Sequence, residues 1–142
     1  MNKIIIVLFI LSTLSFAEEG SFYVSGEAIK AISLTLGVSS IDFGDVYTDT
    51  DVDPVLVDFS VNAEANYYYD VEITNDDSSG VVQVSKTSSG GYTDGKLTYS
   101  KLIATGNDDS QEFYVDLDTE NMTDDLSATI TVTVAYSEIP SS

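Results

Sequence analysis

The chain of 142 residues has no cysteine, histidine, arginine or tryptophan, and each absence removes a class of mechanism. Without cysteine the fold carries no disulfide staple, whatever its redox compartment. A Ser-His-Asp triad, a Cys-His pair, a histidine-based zinc site and an arginine clamp cannot be built within it. Basic residues are scarce: Lys3, Lys30, Lys86, Lys96 and Lys101, against 24 Asp and Glu. All the acids lie beyond residue 17, so the remainder of the chain sets four lysines against 24 acids, a net charge of −20. Phosphate contacts need a basic surface, so nucleic-acid binding is disfavoured, as is adsorption to an anionic membrane. What such charge suits is solubility outside the cell, a divalent cation or a basic partner.

There is only one long apolar run, Ile4–Leu11. It is about half of what a bilayer span requires, roughly 20 residues. Asn2 and Lys3 precede it, and Ser15-Phe16-Ala17 places small residues where a signal peptidase reads. Residues 1–17 therefore read as a secretory leader cut after Ala17, which predicts a secreted protein, extracellular or at the cell surface, with no membrane association after cleavage. Glu18–Ser142 is then one domain with enough chain for a core.

Helical periodicity is nearly absent; Ala28–Ile32 could form one turn and nothing sustains it. Alternation of apolar and polar residues recurs instead, the mark of half-buried strands. In GSFYVSGEAIKAISLTL, residues 20–36, one face carries Phe22, Val24, Gly26, Ala28, Ile32, Leu34 and Leu36, interrupted by Lys30. Fifteen extended residues would reach roughly 50 Å, against about 20 Å for an ordinary strand, so two strands with a break near Ile29–Ala31 are expected. Ile41 and Phe43 alternate before a turn at Gly44. Further strands are expected in PVLVDFSVNA, YYYDVEIT, VVQVSK, KLTYSKLIA, QEFYVDLD and LSATITVTVAYS. The last is the most regular, with Leu126, Ala128, Ile130, Val132, Val134 and Tyr136 on one face and threonines opposite. Seven to nine short strands separated by Gly, Asn, Asp and Ser predict an all-β fold, an antiparallel Ig-like or Greek-key β-sandwich, over residues 31–137, with 138–142 a frayed tail.

Acidic loops are the main candidates for a site. Asp49, Asp51 and Asp53 alternate as an EF-hand loop begins, but Pro54 stands where that loop needs glycine and Ser60 where it needs glutamate. Carboxylates gathered from separate loops, Asp76 and Asp77 or Asp108 and Asp109, together with those three, could hold calcium weakly; solvated loop acids are the plainer account. No cofactor is otherwise expected, and no catalytic residue. Acid pairs suited to glycoside hydrolysis arise in any acid-rich chain by number alone, and no tryptophan offers a sugar platform. Tyr67 and Tyr69 share one side of a strand, which suits packing better than ligand stacking. Asn121 opens an N-glycosylation sequon.

Residues 18–30 carry the question of function. They form either a strand of the chain's own sandwich or a segment that adds to an exposed sheet edge of the next subunit, with Phe22, Val24 and Ala28 as anchors. Such a head-to-tail exchange does not close and builds a filament, a homopolymer of identical subunits. The leader, ISLTLGVSSIDFGDV, VLVDFSVNAEANYYYDVEITN and the final ATITVTVAY together resemble small secreted bacterial surface proteins with Ig-like sandwiches. They are similar to spore-coat-U-type fimbrial domains and, more loosely, to TasA-like fibre proteins. Spore-coat-U-type domains often carry a disulfide, which this chain lacks. The resemblance implies a structural, self-assembling role as a subunit of an extracellular filament, pilus or surface layer. The alternative is a monomeric binding or adhesion module using its acidic loops.

Overall fold

In the computed structural model, which describes residues 21–138, seven strands form two antiparallel sheets. They are β1 (Ser33–Leu36), β2 (Val55–Asn62), β3 (Tyr68–Asn75), β4 (Val82–Ser85), β5 (Leu97–Ile103), β6 (Asp108–Leu117) and β7 (Ile130–Glu138). One sheet has the order β1-β2-β6-β4, the other β5-β3-β7. Among the described residues the only helical element is a single 3-10 turn at Thr119–Asn121. The expected β-sandwich is thus present, at the lower end of the predicted strand count. The predicted leader, Met1–Ala17, and residues 139–142 lie outside the described residues. Glu138, placed in the tail by the sequence, is the last residue of β7.

Alternation explains the core. Val57, Phe59 and Val61 of β2, Tyr69, Val71 and Ile73 of β3, and Phe113, Val115 and Leu117 of β6 are buried between the sheets. Their intervening neighbours Asp58, Glu72 and Glu112 face solvent. Strands β2 and β6 pair over eight residues, from Val55 opposite Val115 to Asn62 opposite Asp108, so their apolar faces coincide. Burying each of these side chains contributes about 1.5–3 kcal/mol, so the two central strand pairs supply most of the stabilisation.

Three expectations change. Residues 21–32 are in no strand; only Ser33–Leu36 of the opening stretch pairs, with Phe59–Asn62. Ile41 and Phe43 do not form a strand either. They sit in a loop shaped by the Asp42 carboxylate, which accepts a hydrogen bond from the Gly44 N–H at 2.8 Å, with Gly44 at φ 67° as the expected turn. Their side chains still reach the core as half-buried residues, because a loop lying over a sandwich edge can bury alternate residues without a ladder partner. Leu126 and Ala128 precede β7 rather than belonging to it.

The two sides of the sandwich differ. On one side Tyr99 of β5 packs edge-on against Phe59 at 6.3 Å between ring centres, and its hydroxyl donates to the Glu112 carbonyl of the facing sheet. On the other, Ile130, Val132, Val134 and Tyr136 of β7 are only partly buried, and Leu36 of β1 is exposed. The strand with the most regular alternation therefore lies at an incompletely covered edge.

Candidate assembly site: an exposed leading segment and an open cleft

The leading segment is exposed up to Ala28. Phe22, Tyr23 and Val24 are 88%, 90% and 77% exposed, and every residue from 21 to 28 faces solvent. Lys30 is fastened to the body. Its N–H donates to the Glu64 carboxylate at 3.0 Å, its ammonium to the Gly106 carbonyl at 3.2 Å, and its carbonyl accepts from the Tyr136 hydroxyl at 2.6 Å. The same hydroxyl accepts from the Glu64 N–H at 2.8 Å, and its ring packs against Tyr67. Tyr136 thus ties the C-terminal end of β7 to the start of the body. Gly106 belongs to this corner: its φ of 87° and the 3.0 Å that would separate an added Cβ from Ala65 leave no room for a side chain. Lysine at position 30, which interrupts the apolar face in the sequence, is a fastening point between the exposed segment and the fold.

Beside the N-terminal part of β7, at Ile130 and Val132, the space between the sheets opens into a groove of about 860 Å³. Its lining includes Val57, Phe113 and Val115 deep between the sheets, Phe43, Val46, Ile130 and Val132 beside them, and the carboxylates of Asp42, Asp45 and Asp125. An apolar interior beside half-buried side chains is what a missing strand would leave in a sandwich, because each sheet still presents an inward face there.

The predicted anchors Phe22, Val24 and Ala28 are together on the exposed segment. The acids are not together. Asp49, Asp51 and Asp53 lie in the exposed loop before β2, and Asp49 adopts φ 61° with its N–H donating to Thr119 O at 3.2 Å. Asp76 follows β3 and accepts from Thr129 N–H at 2.6 Å. Asp77 accepts from Ser79 N–H at 2.9 Å, the Ser79 hydroxyl and Val82 N–H at 2.8 Å. Those bonds, the Ser79 hydroxyl first and then the Val82 amide, hold its carboxyl below the ordinary value against a smaller opposing effect of desolvation. Asp108 accepts from the Asn62 side chain at 2.7 Å, and Asp109 from Thr105. Among the described residues no three carboxylates converge on a metal-sized space. Four of these carboxylates, of Asp76, Asp77, Asp108 and Asp109, bear on loop geometry or strand ends, that of Asp77 by closing an Asx-type turn onto Ser79.

Two features escaped sequence reasoning. Tyr136 gave no sign of its tie to Lys30, 106 residues away in the chain. The covering role of the loop around Ile41 and Phe43 looked like strand alternation. Comparison with protein-family models and with curated proteins finds no match for the chain.

Proposed function

We propose that the protein is a secreted structural subunit that assembles head-to-tail into an extracellular filament, pilus or surface layer by adding its leading segment to the sheet of the next copy. The observation that carries this reading is the exposure of Phe22, Tyr23 and Val24. Leaving large apolar side chains in water forgoes roughly 1.5–3 kcal/mol for each Phe or Val, a deficit that burial in a partner recovers. Strand addition suits such a segment, since backbone hydrogen bonds give affinity and alternate side chains give register. A surface without histidine, cysteine or arginine supports a structural rather than a catalytic role. The charge of the chain beyond its leader opposes close stacking, and screening over about 8 Å at physiological salt limits that opposition to acids near the contact.

Deleting Glu18–Ala28 and imaging the product by negative-stain microscopy tests the reading. A folded monomer that no longer forms polymers supports it. Global unfolding assigns the segment to the chain's own core and refutes it, and loss of ligand binding without any change in association favours a monomeric adhesion module.

A further inference from the structure

We infer that the acceptor for the leading segment is the free edge of β7, and that residues 21–28 of a second copy enter the groove there antiparallel to β7. The inference rests on the self-assembly reading and names the site and direction that the reading leaves open.

The four sheet edges are not equivalent. Edge β4 is already covered by a bridge from Val84 to Thr93. Edge β5 is flanked by Lys96, contains Lys101 and is broken at Lys101, whose φ is 55°; lysines and irregularities are devices that discourage pairing. Edge β1 is four residues long. Strand β7 has nine residues, with no lysine, glycine or proline; its register with β3 shifts only at its C-terminal end, between Tyr136 and Glu138, and among the described residues it pairs with no other strand. An unprotected edge of that length is a template for another chain.

Length and pattern match. Eight extended residues span about 26 Å, and the nine of β7 about 30 Å. Phe22, Val24, Gly26 and Ala28 on one side of the entering segment would continue the inward face formed by Ile130, Val132 and Val134. Tyr23 and Ser25 would lie outward beside Thr131 and Thr133, which are exposed.

Direction distinguishes a second copy from the chain itself. Lys30 is fastened beside Tyr136, at the C-terminal end of β7. The chain's own residues 21–28, laid back along β7 from that point, would run parallel to it. A second copy is free to enter antiparallel, the slightly more stable pairing and the one every other strand of this fold uses. Tethering at Lys30 therefore favours exchange between copies over self-closure.

The absence of native cysteine makes the test clean. Full chains carrying Tyr23→Cys or Ser25→Cys are mixed with full chains carrying Thr129→Cys, Thr131→Cys or Thr133→Cys under mild oxidation. Facing residues on paired strands have Cβ atoms within reach of a disulfide. The expected result is covalent pairs between different chains, with the preferred β7 partner moving two residues toward the N-terminus of β7 when the donor cysteine moves from Tyr23 to Ser25. A shift in the opposite direction means parallel entry and overturns the inference. So does preferential linkage to Thr98→Cys on β5, or, in a chain carrying both cysteines, a disulfide closed within one chain. Polymers that form without linkage to β7 overturn the acceptor while leaving self-assembly intact; a chain that stays monomeric overturns both.

Discussion

Replacing Phe22 by alanine separates a side chain used between subunits from one used within the fold. In the isolated chain the ring is 88% exposed, so its removal should leave folding stability within about 0.5 kcal/mol, the usual range for surface positions. In an assembled filament the ring would be buried in the next subunit. Alanine keeps only a small part of the apolar surface of phenylalanine, so each subunit contact should lose about 2 kcal/mol. With 1.4 kcal/mol per factor of ten, that raises the critical concentration for polymer formation about thirty-fold. Sedimentation across a concentration series measures that threshold, and thermal unfolding of the unassembled chain measures stability in the same preparation. An unchanged threshold would refute the reasoning. So would a melting temperature lowered by several degrees, which would place the ring inside its own domain.

Further outcomes follow from charge, backbone conformation and proton binding. Raising sodium chloride or adding calcium should increase polymer mass, because repulsion between chains of net charge −19 opposes contact; sedimentation that is insensitive to both salt and a chelator would contradict this. Gly106→Ala should lower stability by about 2 kcal/mol, from the left-handed backbone and the crowding against Ala65, and so lower the melting temperature by roughly 8 °C. A normal melting temperature would show that the corner relaxes freely. Asp77 has a carboxyl held below its ordinary value of 3.8. Its contribution is therefore complete above that value and lost as pH falls through the lower folded value. Asp77→Asn should weaken the loss of stability below about pH 4 relative to the unsubstituted chain; identical pH profiles would rule out a role for the turn.

The buried strands were legible in the sequence because both of their determinants are local. In β2, β3 and β6, apolar residues at every second position meet facing sheets, and all three expected strands formed with those apolar residues inward. Alternation states which side chains seek burial, however, and not what will bury them. At Ile41 and Phe43 a loop meets that demand, through a turn made by Asp42 and Gly44. At Phe22 and Val24 nothing among the described residues meets it. Strand β7 shows the same distinction, with the cleanest pattern and the least complete cover. The candidate site was legible in part: the alternating apolar residues Phe22, Val24 and Ala28 were readable, while the groove and the Lys30–Tyr136 tie arise from contacts between distant parts of the chain. The acidic residues were readable as loops, but their spacing could not show that several of the carboxylates serve neighbouring amides.

Hydrogen exchange at the backbone of assembled and unassembled protein tests the central claim most directly, since that claim concerns main-chain pairing between copies. On assembly, amides of residues 22–28 and of β7 should become protected together, while those of the β5 edge keep their rate. Polymers in which both segments exchange as fast as in the isolated chain would contradict the account.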